Sequence, residues 1–280
     1  MAVIRIDDPA DARLEEYRNV PDPELIEKRG VFVAEGRLVV ARLLLDGRFK
    51  ARSVLVTDAA RHAMSDVLDS RPGATNDPLV YVVPQWLINA VTGFNIHRGC
   101  LAIGERSVVP PWQEVVAGAR RLVVIERVGN ADNIGAIFRH AAAFGVDGVL
   151  LESGCTDPLY RKAIRTSMGA ALQVPFARME PWPSALRALR EQGCSLIALL
   201  PTAERTLQDV VEGLSPAAQT AIVLGHEGDG LSPDALAACD LHARIPMAAG
   251  VDSLNVATAC AIALYELTRN SNQGRIVRST

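Results

Sequence analysis

Residues Val256 to Leu264 form a helix-length run without a charged side chain, and the first charge beyond them is Glu266. Ala257, Ala259, Cys260, Ala261, Ile262 and Ala263 make it small and apolar on every face. A helix that is apolar all round is buried all round, so the fold must supply neighbours on every side. The run is too short and too rich in alanine to span a bilayer. Ahead of it, the chain from Ile245 loosens at Ala248, Ala249 and Gly250, then presents Asp252, Ser253 and Asn255. One such group caps a helix. Three together exceed what a cap needs, so this end is either a well-supplied cap or a site. Taken alone, the stretch favours the cap.

Two alternating series of strands and helices precede that helix. In the first, a polar arm over residues 1–30 includes a short helix around Asp11 to Arg18. Strands are expected at Val31–Ala34, Ser53–Val56, Leu79–Val83 and Cys100–Ile103, with helices at Arg37–Leu45, Ala59–Leu68 and Pro84–Val91. Gly47 is the expected stop of the first helix. The alternation predicts a small α/β domain with helices on both faces of a sheet. The second series begins at Arg121. Its strands are expected at Leu122–Val128, Gly148–Leu151, Gln173–Ala177, Ser195–Leu200, Thr220–Leu224 and Leu241–Ile245. Its helices are expected at Asn133–Phe144, Tyr160–Met168, Ser184–Gln192 and Pro233–Ala238, followed by the uncharged run. The expected domains are 1–105 and 120–270, with a linker at 106–119 around Pro110 and Pro111 and a tail at 271–280.

Parallel α/β sheets bind ligands beyond the carboxyl ends of their strands. Glycine and polar clusters stand at such ends after Val128, Leu200, Leu224 and Ile245. The formal net charge of −3 is spread evenly, which excludes a global basic field but leaves room for a local nucleic-acid patch. The five cysteines are widely spaced and odd in number, so neither a disulfide framework nor a zinc site is expected, and a reducing cytoplasm fits. Asp7, Asp8 and Asp11 stand where a secretory signal would be apolar.

Four stretches hold candidate chemistry. In Glu126–Gly145, Asn130, Asp132 and Asn133 precede a helix that carries Arg139 about two turns in. Spacing alone makes the first group caps and Arg139 a solvated side chain. Arg161, Lys162 and Arg165 lie near one another on a helix, enough for a phosphate patch, although a solvated face accounts for them equally simply. In Ile222–Ser232 a β run ends in Gly225, Gly228 and Gly230 around Glu227. Spaced GxxGxG and lacking lysine, it is neither a dinucleotide fingerprint nor a P-loop. The Glu227 carboxylate would repel an anion, so a cationic or neutral ligand is expected. Finally, Ile245, Met247 and Leu254 can wall an apolar slot with Ser253 and Asn255 at its mouth.

The segments NIGAIFRHAAAFG, SMGA, LGHEGDGLS and IPMAAGVDSLNVATA, in this order, resemble the SpoU (TrmH-like) family of RNA ribose 2′-O-methyltransferases of the SPOUT class. The similarity covers roughly Leu122 to Leu267, and FVAEGRLVVARLL with HRGCLAI resembles the family's N-terminal RNA-binding domain. The resemblance implies a C-terminal α/β trefoil-knot domain with a parallel sheet, preceded by a small α/β RNA-binding domain of ribosomal-protein-like fold. It also implies S-adenosylmethionine as cofactor, no metal, a structured RNA substrate, and a homodimer with active sites near its interface. The uncharged helix then becomes knot core plus dimer contact.

Carried over by motif, Asn133, Arg139, Glu227, Ser253 and Asn255 are the expected catalytic residues. Gly225, Ile245, Leu254, Met247 and Leu200 are the expected cofactor wall, and Arg161, Lys162 and Arg165 the expected RNA contacts. His226 departs from the family's more usual asparagine. Arginine almost never loses its proton, so Arg139 is expected to orient the 2′-hydroxyl and stabilise developing oxyanion charge. Ser253 and Asn255 would hold Arg139 or the substrate, Glu227 would orient groups around cofactor or nucleotide, and Asp252 would keep the cap. Ribosomal RNA is the expected target. The alternatives are transfer RNA, a non-catalytic RNA binder on the same fold, and a Rossmann-type enzyme acting on small molecules.

Overall fold

Short runs rich in Val, Ile and Leu form the strands of two separate sheets. The computed structural model describes residues 1–269 except 19–20, 47, 70–76, 94–95, 97–98, 107 and 216. The chain divides into two units, Met1–Val108 with Asp157–Gln173, and Val109–Thr156 with Val174 onward.

The first unit contains β1 (Val3–Arg5), β2 (Val31–Glu35), α1 (Arg37–Asp46), β3 (Ala51–Val56), α2 (Asp58–Ala63), α3 (Ser65–Leu68), β4 (Leu79–Val82), α4 (Gln85–Thr92) and β5 (Cys100–Glu105). The strand order is β1-β4-β3-β5-β2. β1, β4 and β3 run parallel, and β5 is antiparallel to β3 and β2. Leu14, Tyr17 and Leu25 of the polar arm are buried in this unit's core with Leu55, Leu87 and Leu101. The Tyr17 hydroxyl and Ser53 Oγ, 2.7 Å apart, satisfy each other there. The arm is thus more structured than expected: it supplies a paired edge strand and core residues as well as the short helix. The single helix expected at Ala59–Leu68 breaks at Met64, where φ is −118°. The expected stop at Gly47 lies outside the described residues.

The second unit continues with α5 (Trp112–Val116), β6 (Arg121–Ile125), α6 (Ala131–Ala143) and β7 (Gly148–Leu151). α7 (Arg161–Thr166) belongs to the first unit. Then come β8 (Phe176–Arg178), α8 (Ser184–Glu191), β9 (Ser195–Leu199), α9 (Leu207–Glu212), β10 (Thr220–Leu224), α10 (Pro233–Ala238), β11 (Leu241–Ala243) and α11 (Val256–Arg269). Six strands, all parallel, lie in the order β11-β9-β10-β6-β7-β8. β7 and β10 are buried at every residue, as a parallel sheet covered on both faces requires. The strand order reverses where β10 lies against β6, the usual position of a ligand crevice in such sheets.

Three expectations need correction. Residues 109–119 are not a free linker: Trp112, Val115 and Val116 are core residues, and α5 packs where Gly148 has no Cβ to block Val115. Residues 157–173, expected in the second series, group with the first unit. The Arg161 N–H donates to Asp22 Oδ2 at 3.0 Å, Arg106 Nη1 to Asp157 Oδ2 at 2.7 Å and Arg42 Nη1 to the Met168 carbonyl at 2.8 Å. Finally, α11 is not buried all round in a single chain: Ile262 is 38% exposed and Tyr265 56%.

All five cysteines are free and buried. Burial pushes the thiols of Cys100, Cys194, Cys239 and Cys260 up to about 12, and that of Cys155 to about 11. Among the described residues no helix is long and apolar enough to cross a membrane.

Candidate active site

Beyond Leu224, at the carboxyl end of β10, the chain doubles back at once. His226 and Gly230 form an isolated antiparallel bridge, each N–H donating to the other's carbonyl at 3.1 and 3.0 Å. Gly225 permits this closure, because a Cβ there would meet Gly230 and Leu231 backbone atoms at 2.3–2.4 Å. Within the loop, His226 Nδ1 accepts from the N–H groups of Gly228 (3.1 Å) and Asp229 (3.2 Å). These bonds place the ring proton on Nε2.

The loop's far end is anchored by Glu126, which follows β6 and is 2% exposed. Its Oε1 accepts from Ser232 Oγ (2.6 Å) and Trp182 Nε1 (2.8 Å), and its Oε2 from the Ser232 N–H (2.7 Å). A buried carboxylate needs such partners. The stretch Glu126–Gly145 begins with this residue, but no role was expected for it. An acid ending an otherwise apolar strand was the available signal. The next residue, Arg127, adopts φ +54°, a left-handed conformation that costs a residue with a Cβ about 1 kcal/mol.

The Asn130 side chain accepts from the Asp132 N–H at 2.8 Å and caps α6. One turn on, Asn133 Nδ2 donates to Glu227 Oε1 at 2.5 Å. Asn133 Oδ1 in turn accepts from Asn255 Nδ2 at 2.9 Å. The orientation of Asn255 is set independently, because its Oδ1 caps α11 by accepting from the N–H groups of Ala257 (3.0 Å) and Thr258 (3.2 Å). The result is a directional chain from Asn255 through Asn133 to Glu227. The cap expected of Asp252 therefore falls to Asn255. The helix starts at Val256, and only the residue immediately before it reaches the first free N–H groups.

These segments border a cavity of about 440 Å³. Its lining includes Leu200, Gly225, Ile245, Met247 and Leu254, all five residues expected in a cofactor wall, together with Glu227 and Ser253. Leu224, Leu231, Leu236, Asp229 and Asp252 also line it, although no role as wall was expected of them. They come from β10, the doubled-back loop, α10 and the segment before α11. Asn133 and Asn255 lie behind Glu227 rather than in the wall. Arg139 is not brought to this cluster within the chain: it is exposed on α6, and its side chain makes no hydrogen bond among the described residues. Asn255 holds Asn133 instead of Arg139. Burial lowers the pKa of the adjacent His140; a backbone contact with Ala257 opposes this, and the Arg139 charge adds to it. On α7, in the other unit, Lys162 is exposed and Arg165 Nη1 lies 3.9 Å from Glu35 Oε2.

A model of the SpoU rRNA Methylase family matches residues 120–265. An uncharacterised tRNA/rRNA methyltransferase of Mycobacterium tuberculosis is 41% identical over 270 residues, covering 95% of this chain and 91% of that protein. A 23S rRNA (guanosine-2′-O-)-methyltransferase of Vibrio cholerae is 34% identical over 154 residues, 55% of this chain and 61% of that one. Among solved structures, the AdoMet-bound rRNA methyltransferase of Sinorhizobium meliloti shares the fold with a TM-score of 0.79 at 23% identity, covering 96% of this chain and 98% of its own.

Proposed function

Because the chain belongs to the SpoU rRNA methylase family, we propose that it transfers a methyl group from S-adenosylmethionine to a ribose 2′-hydroxyl of ribosomal RNA. The observation that carries this reading is the Asn255–Asn133–Glu227 chain, which ties the starts of α11 and α6 to the rim of the cavity. The residues present fit the cofactor. Leu224, Leu231, Leu236, Ile245 and Leu254 offer an apolar slot to an adenine ring, and Glu227, Asp229 and Asp252 line the same cavity with negative charge suited to a cation.

When bound, S-adenosylmethionine supplies an electrophilic methyl carbon on a cationic sulfonium. The protein's task is then alignment. Asn255 cannot turn without uncapping α11, so it fixes the Asn133 amide, which fixes Glu227 Oε1. The second Glu227 oxygen, without a partner among the described residues, accepts from the target ribose. Arg139 does not reach this cluster within one chain, so in the proposed homodimer it is the guanidinium of the second copy that takes the developing oxyanion and adjacent phosphate. Arg139→Ala is expected to lower kcat by at least about a hundredfold while calorimetry finds cofactor affinity unchanged. Wild-type turnover in that variant removes Arg139 from the mechanism.

His226 serves the cofactor loop as an acceptor. His226→Asn should keep S-adenosylmethionine affinity, whereas His226→Ala, leaving two N–H groups without their acceptor, should weaken it about tenfold. Equal affinities for the two variants would show that the acceptor is not needed.

Lys162, Arg161 and Arg165 remain the proposed RNA contacts of the first unit, and the cytoplasm the proposed compartment. Ile262 and Tyr265 form the open stripe of α11, with Phe144 edge-on to Tyr265 at 6.3 Å. This apolar face is the proposed homodimer contact, and a monomeric mass by light scattering would end that reading. The function as a whole is tested by mapping 2′-O-methyl sites in total RNA from a deletion strain and its parent. One ribosomal site should vanish; identical maps would leave the assignment without support.

A further inference from the structure

Glu227, Asp229 and Asp252 line the cavity and are exposed. Three carboxylates at one mouth suit a cation but repel the backbone of an RNA laid across it. We propose that Arg127 binds a substrate phosphate at this rim, exchanging Asp229 for the RNA and positioning the strand beside the cavity. The proposal rests on the methyltransferase reading above.

Arg127 stands one residue past buried Glu126 at the carboxyl edge of the sheet. Its φ of +54° is one that glycine adopts freely and arginine rarely. The backbone is pinned there, since its N–H donates to Glu152 Oε2 at 3.2 Å and Glu152 is 9% exposed. The stem passes beside Gly154, where an added Cβ would lie 3.5 Å from Arg127 Cγ. Its guanidinium Nη1 lies 3.8 Å from Asp229 Oδ2, with the two side chains 44% and 73% exposed. So open an ion pair contributes little to stability and does not account for an arginine held in left-handed backbone. Asp229 lines the cavity and Arg127 does not. The guanidinium therefore sits outside the cofactor space, where a polymer too large to enter must pass. Its planar fork matches a phosphate.

Filter binding to deproteinised bacterial ribosomal RNA over a salt series, with calorimetry for S-adenosylmethionine, tests this on wild type, Arg127→Gly and Arg127→Lys. Glycine removes the side chain and relieves the backbone, so the melting temperature should not fall. RNA affinity should drop about fivefold at low salt, and the slope of log K against log salt should become shallower by about 0.7–0.9. Lysine should restore the slope, and cofactor affinity should be unchanged in both variants. Unchanged RNA affinity and slope in Arg127→Gly would overturn the proposal, whether or not stability falls. Cofactor affinity falling as far as RNA affinity would also overturn it, moving Arg127 to the cofactor. If wild type binds RNA in an Arg127-dependent way but binds no S-adenosylmethionine, the methyltransferase reading fails and the phosphate contact stands.

Discussion

Gly225→Ala is expected to abolish useful cofactor binding while leaving the six-stranded sheet folded. The added Cβ would stand 2.3 Å from the Gly230 carbonyl carbon and 2.4 Å from Gly230 O and Leu231 N. These are backbone atoms and cannot rotate aside. Relief requires opening the His226–Gly230 bridge, which displaces Glu227 and Asp229 from the cavity wall. Overpacking at this severity costs about 3 kcal/mol, about a hundredfold in Kd. Calorimetry with S-adenosylmethionine should show that loss, while thermal unfolding stays cooperative. Wild-type affinity would mean that the loop accommodates the methyl group and does not shape the pocket.

Asn255→Ser should separate two roles that one side chain now fills. Serine caps a helix about as well as asparagine, so α11 should keep its stability. Serine is too short to reach Asn133 and has no amide to donate. Methyl transfer should fall about a hundredfold, chiefly in kcat, as when one aligned donor is removed from an active site. Asn255→Ala loses the cap as well, about 1 kcal/mol, and should melt about 2–4 °C lower. If the serine variant restores turnover together with stability, Asn255 is a cap and nothing more.

The central parallel strands of the second unit were legible because they are short apolar runs bounded by polar residues. Gly148–Leu151 and Thr220–Leu224 match their expected limits. The edge strands, Phe176–Arg178 and Leu241–Ala243, are shorter, carry polar side chains and depart from the expected Gln173–Ala177 and Leu241–Ile245. The strand expected to reach Val128 stops at Ile125 because Glu126 turns inward to Ser232 and Trp182. α9 went unforeseen although Thr206 and Asp209 form a reciprocal cap, because Asp replaces the usual Glu or Gln and the helix is short. α5 was masked by Pro110-Pro111, which read as a linker but lead into a buried turn of helix.

Local pattern determined most of the elements of this protein, and motif order pointed to its family. Residue type also pointed to an apolar slot at Ile245, Met247 and Leu254 beside the acid Glu227. Only tertiary structure decided which polar groups meet. Asn133 lies 94 residues from Glu227 and 122 from Asn255, and no spacing rule reaches across such distances. Their contact depends on how β6 and β10 pair and where the 225–231 loop doubles back. The same closure turned His226 into a backbone acceptor and set Arg127 beside Asp229. Strand and helix preferences are short-range, whereas hydrogen bonds between side chains go to whatever groups the folded backbone brings within about 3 Å.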